Sequence, residues 1–237
     1  MIDIRSFDSL GGADHGWLRT KHHFSFADYH DPERVHWGAL RVWNDDTIAP
    51  QEGFPRHPHR DMEIVTYVRQ GAITHRDHLG NEGRTVAGDV QVMSAGSGIA
   101  HEEWNLEDGE TQIFQIWILP AEKGGEPRWA SASFPKAERA GQLVPLASGK
   151  GENDTLLIRQ DATLYGATLT PGQELRHGLV PGRYVYLVPA SGSVTVNGKR
   201  LETGDGAAIR DEAEIVIAHA GGKESAEIVL ADVPRLR

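Results

Sequence analysis

The chain has 237 residues, with 24 Lys and Arg against 34 Asp and Glu, a formal net charge of −10 and no cysteine. An acidic balance with no basic cluster excludes a surface that tracks phosphates, and the lack of cysteine removes disulfides, thiolate metal sites and thiol nucleophiles together. No apolar run approaches the ~20 residues that span a bilayer, and Asp3 and Asp8 stand where an export signal would be basic and then apolar, so a cytoplasmic protein without membrane contact is expected.

Short runs rich in Val, Ile, Tyr and Trp follow one another between Gly, Asp, Asn and Pro punctuation. In chain order they are ALRVW, EIVTYVRQ, DVQVM and TQIFQIWIL, then ATLYGATL, YVYLVPA, SVTVNG, EIVIAHA and AEIVLAD. This spacing predicts an all-β chain of sandwich or barrel type, with hardly any helical periodicity. The stretch from Pro120 to Gln142, rich in Pro, Gly and charge, separates two strand-dense regions. The expected division is an N-terminal domain over 1–125, a linker over 126–142 and a C-terminal domain over 143–237. The two regions also echo each other. Gly71 answers Gly192, and the Gly88-Asp89 turn answers Gly204-Asp205, which points to a duplicated β unit.

Ten of the 12 histidines lie at or before residue 101, so only one of the two units is expected to carry a site. In extended chain, residues two apart face the same way. His57 and His59 in GFPRHPHRDMEIV therefore project together, with Glu63 following them if the strand is unbroken; His101 and Glu103 in GSGIAHEEWN form a second such pair. Converging inside a barrel, three imidazoles and one carboxylate make an N/O site with open coordination positions, suited to iron, manganese, nickel, cobalt, copper or zinc. Other motifs fail. Asn105 stands where a helical zinc protease would need its second His, and there is no nucleophile elbow or phosphate-binding loop. Gln115, polar within IFQIWIL, is a candidate contact to the metal's surroundings or to substrate, and Phe54, Met93 and Trp104 are candidates for a pocket mouth or for core.

HPHRDMEIVTYVRQG, MSAGSGIAHEEWN and QIWILP, with HHFSFADYHDP and LRVWNDD ahead of them, resemble the pirin family of the cupin superfamily, and specifically its bacterial branch. The resemblance covers nearly all of residues 1 to 130 and is weaker beyond. It implies a bicupin, two tandem β-barrels of the double-stranded β-helix type, with one metal in the first. It also implies the ligands His57, His59, His101 and Glu103 and iron(II) as the expected metal; many cupins would instead use the carboxylate at Glu63. The second barrel offers His177, but Leu179 occupies the place of its partner, so no ligand set is expected there.

Some bacterial pirins have quercetin 2,3-dioxygenase activity. The resemblance therefore implies a metal-dependent dioxygenase acting on a flavonol-like or related aromatic or enediol substrate with dioxygen. Glu103 would be the catalytic residue, ligand first and proton acceptor when it leaves the metal. The alternative is a metal-dependent regulatory protein that works through a protein partner, as eukaryotic pirins do.

Overall fold

A computed structural model of the chain describes residues 1–151 and 155–236. Among these residues it contains 22 strands and two 3-10 turns. The strands form two seven-stranded and two four-stranded sheets. In the first half, the larger sheet includes Leu18–His22, Leu40–Ile48, Glu63–Gln70, Val90–Ser94 and Thr111–Ile118; the smaller one holds Gly53–His59, Ala72–Asp77, Glu82–Val86 and Ile99–Trp104. The two sheets face each other as a barrel.

The second half repeats this wiring. Its smaller sheet runs Glu174–Gly178, Glu214–His219, Val194–Val196, Lys199–Leu201, the same order as the first, and its larger sheet is centred on Arg183–Ser191 and Ala226–Pro234. The duplication read from the glycines therefore holds at the level of topology. Gly71 and Gly192 sit in equivalent turns at φ of 72° and 69°. A Cβ on Gly71 would lie 2.5 Å from the Thr111 hydroxyl, and one on Gly192 would lie 2.9 Å from the Ala226 Cα, the first residues of equivalent strands. Both the left-handed backbone and the close approach call for glycine.

The strands at the edges are exchanged between halves. Ile2–Arg5 pairs antiparallel with Gly206–Arg210 and completes the larger sheet of the second half. The corresponding edge of the first half is filled by Arg128–Ala132, which pairs with Val90–Ser94 and lies inside the segment expected as linker.

Alternation along the central strands divides the core. Val65, Tyr67, Phe114 and Ile116 turn outward and pack against Leu164, Tyr186, Val188 and Val229, so the largest apolar cluster lies between the barrels. Their neighbours turn inward. Inside the second barrel these are aliphatic, including Leu187, Ile215, Ile217 and Leu230. Inside the first, apolar residues form only two small clusters, around Ile113 and around Ile64. Thr66, Gln91, His101, Glu103 and Gln115 are also buried in this half, and these polar side chains occupy the space between the two clusters.

Candidate metal centre

The strand Gly53–His59 pairs with Ile99–Trp104 so that His57 lies opposite His101. The register then slips between His101 and Glu103, and Glu103 faces Phe54. Such a bulge re-aims the side chains that follow it. The ring nitrogens of His57, His59 and His101 lie within 4.8 Å of one another, with His101 buried and the other two half-buried.

Hydrogen bonds fix which nitrogens carry protons. The His57 Nδ1 lies 2.7 Å from the Pro55 carbonyl, an acceptor only, so Nδ1 carries a proton, and in the neutral imidazole Nε2 is the bare nitrogen. Behind His101 stands a chain that the sequence reading missed. Asp77 accepts from the Leu79 N–H at 2.9 Å and from the Asn81 N–H and side-chain amide at 3.1 and 2.9 Å. Burial pushes its carboxyl up, but hydrogen bonds from His75 and Asn81 outweigh this and hold it below its ordinary value. As an ionised acceptor, Asp77 requires the His75 Nε2 at 3.0 Å to donate. In neutral His75 the Nδ1 is then bare, and the His101 Nδ1 at 3.3 Å must carry the proton. The His101 Nε2 is left bare, 3.1 Å from the bare Nε2 of His57.

Two lone pairs facing each other at that distance repel unless a cation lies beside both. Nitrogens at ~2.1 Å from one ion and at right angles to each other are about 3 Å apart, so the observed separation fits a shared metal. Burial, then His101 and His57, depress His59 to a pKa of about 4. Burial, then His57 and His75, depress His101 to about 3. Both rings are therefore neutral and able to ligate near pH 7. His75, His101 and Glu103 also lie within 4.8 Å of one another. Both nitrogens of His75 are engaged, so its role is to orient His101.

Glu103 is held from both sides. Its Oε1 accepts from the Gln91 amide at 2.7 Å and the Thr66 hydroxyl at 3.4 Å, and its Oε2 from the Gln115 amide at 3.0 Å. Thr85 donates to the Gln91 carbonyl at 3.1 Å, which orients that amide. Gln115 thus contacts the carboxylate, as one of its two sequence readings proposed, while its own Oε1 is buried without a partner and borders the cavity.

Glu63 does not join the set. Asp61, at φ 51°, breaks the extended chain between His59 and Glu63, so the alternation restarts. Glu63 follows the parity of Val65 and Tyr67, away from Thr66, and accepts from the Ser94 hydroxyl at 2.6 Å. Of the three mouth candidates, Phe54 borders the cavity, Met93 is core beside Ile64 and Ile99, and Trp104 is half-buried away from the cavity lining.

The cavity has a volume of about 690 Å³ and reaches from the imidazoles to an aromatic wall. Trp117 stands edge-on to His59 at 5.0 Å and to Phe26 at 5.4 Å, and Tyr29 stacks on His22 at 6.2 Å. The sequence passage HHFSFADYHDP supplies Phe26 and Tyr29.

Comparison with known proteins agrees with this architecture. Residues 4–118 match the family model described as Pirin, and residues 145–233 match the quercetinase C-terminal cupin domain. A pirin-like protein of Caulobacter vibrioides is 62% identical over 233 residues, covering 98% of this chain and 99% of the relative. The quercetin 2,3-dioxygenase of Escherichia coli K12 is 42% identical over 235 residues, 99% of each chain. Among solved structures, the bacterial pirin YhhW of Escherichia coli in complex with nickel(II) superposes with a TM-score of 0.92 at 40% identity over 100% of both chains.

Proposed function

This chain belongs to the pirin family, and from that premise we propose that it is a metal-dependent dioxygenase acting on a flavonol-like aromatic substrate, with His57, His59, His101 and Glu103 as the metal ligands. The observation that carries the reading is the pair of bare imidazole nitrogens, 3.1 Å apart, at the end of an aromatic-walled cavity. Iron(II) is the metal proposed; the same donors accept manganese, nickel, cobalt, copper or zinc, and nickel(II) is the ion named for YhhW. The bound metal supplies Lewis acidity that lowers the pKa of a coordinated hydroxyl, and open positions for dioxygen.

The chain's own residues do the rest. Trp117, Phe26 and Tyr29 line the cavity and would pack apolar surface against a planar ring and exclude water from it. His75 and Asp77 keep the His101 proton on Nδ1. Gln91, Thr66 and Gln115 hold the Glu103 carboxylate through hydrogen bonds it can exchange, so that Glu103 would serve as a ligand to a bound metal and would also offer an oxygen to accept the substrate's hydroxyl proton.

The test is oxygen uptake together with loss of flavonol absorbance, using protein loaded in turn with iron, manganese, nickel, cobalt and copper. At least one loaded form should exceed free metal at equal concentration. If none does, the dioxygenase reading fails and the regulatory one takes its place.

A further inference from the structure

The wall facing the metal ligands carries a second polar group. Thr20 lies directly across from Asp46, and His22 across from Asn44, on neighbouring strands of the larger sheet. All four are buried and border the same cavity. Thr20 donates its hydroxyl to Asp46 Oδ1. The His22 ring is 2.9 Å from the Asn44 side-chain oxygen, which makes Nδ1 the donor, and burial depresses its pKa despite that bond.

Asp46 is costly where it stands. It is 2% exposed, and among the described residues no cation pairs with it. The nearby Arg69 guanidinium is taken by Asp45 on the opposite face of the strand, at 2.6 Å. A buried carboxyl whose only hydrogen-bond partner is one hydroxyl is destabilising unless something else compensates. The fold does not need it, because in the second barrel the register-equivalent position is Ala167. Burial, then the neighbouring carboxylates Asp45 and Glu103, raises Asp46 to a pKa of about 7, with the Thr20 bond opposing. The carboxyl can therefore accept a hydrogen bond or donate one near neutrality.

We propose that Asp46, Thr20 and the His22–Asn44 pair form a hydroxyl-recognition subsite, which binds a phenolic hydroxyl of the substrate other than the one held at the metal. Asp46 and Thr20 contact that hydroxyl, and His22 and Asn44 hold the adjoining wall. The ligand class is a polyhydroxylated aromatic ring system long enough to bridge the two walls, and the proposal rests on the dioxygenase reading of the site.

The test is anaerobic titration of nickel-loaded protein with two flavonols, quercetin and 3-hydroxyflavone, the second of which lacks the further hydroxyls. Wild-type protein should bind quercetin more tightly. Asp46→Asn should weaken quercetin by about tenfold, the loss of one hydrogen bond to a charged group, and leave 3-hydroxyflavone within about twofold. Thr20→Val should act in the same direction and more weakly, and both variants should retain one metal per chain, which controls for folding. Equal effects on the two flavonols, or none on either, would overturn the subsite while leaving the dioxygenase reading in place. Failure of the wild type to bind either flavonol would overturn both.

Discussion

The two barrels share one wiring and differ in what they hold. The paired registers allow residue-by-residue comparison. His57, His59 and His101 correspond to His177, Leu179 and Ile215; Glu103 and its donors Thr66, Gln91 and Gln115 correspond to Ile217, Leu187, Ala207 and Leu230. Every hydrogen-bonding partner of the carboxylate has become aliphatic together with it. Half-satisfied polar groups are worse than either extreme, so such a network is kept or lost as a unit. His177, the one retained imidazole, is hydrogen-bonded to Asp232 at 2.9 Å, which also pairs with Arg183 at 2.6 Å. The first barrel gives up apolar packing for a site, and the second gives up the site for packing.

The comparison breaks most sharply at the ligands. A His57→Ala, His59→Ala variant should fall from one metal per chain to nearly none by elemental analysis, because the second barrel has no equivalent set; retained metal, or a wild-type ratio near two, would refute this. Next in size is Ile217→Glu, which places a carboxylate where Leu187, Ala207 and Leu230 offer no donor. It should lose ~3 to 5 kcal/mol in urea unfolding, the scale for an uncompensated buried charge. A loss under ~1 kcal/mol would mean that the second barrel can open to water.

The interface between the barrels gives the third expectation. His23 is fully buried, 2.8 Å from the Tyr186 hydroxyl, and burial, then His22 and Arg69, hold its pKa at about 3. Its ordinary value is 6.5, so below that pH the unfolded chain takes up a proton that the folded one refuses. Its contribution is therefore lost as pH falls from 6.5 towards 3, by about 2 kcal/mol at pH 5. Urea unfolding at pH 7 and pH 5 should show wild type losing that much more than His23→Gln; equal losses would place the acid sensitivity elsewhere. The smallest effect is expected at Gln115→Leu, which imports the second barrel's residue type. One carboxylate oxygen loses its donor while Gln91 still holds the other, so metal affinity should drop by about tenfold in a competition titration with a chelator.

Much of this contrast was legible in the sequence, because it depends on period-two alternation within single strands. HPH and HEE mark the two candidate ligand pairs, and Leu179 marks the lack of such a pair in the second half. The glycine turns gave the duplication because a left-handed φ leaves a residue signature. What escaped depends on long-range register. Glu63 fell on the wrong face because one positive φ at Asp61 resets the alternation. His75 and Asp77 have the same i, i+2 spacing as His57 and His59 and could have been read the same way; what hid them was that nothing in THRD says which strand lies beside it. The same holds for Thr20 and Asp46, which are 26 residues apart and meet only through sheet pairing. Arg128–Ala132 looked like linker because its strand character comes from pairing with Val90–Ser94 rather than from its own Pro- and Gly-rich surroundings.

The exchanged edge strand has a consequence for how the protein is made. Ile2–Arg5 leaves the ribosome well before its partner Gly206–Arg210, which follows roughly 200 residues later, a delay of about 10 to 40 s at ordinary rates of translation. Within that interval the first barrel can close once Arg128–Ala132 has been made, while Ile2–Arg5 remains an unpaired strand with two isoleucines, Ile2 and Ile4, awaiting the core of the second. That strand needs a temporary partner during synthesis, and the sheet it joins cannot be completed until Gly206–Arg210 has emerged.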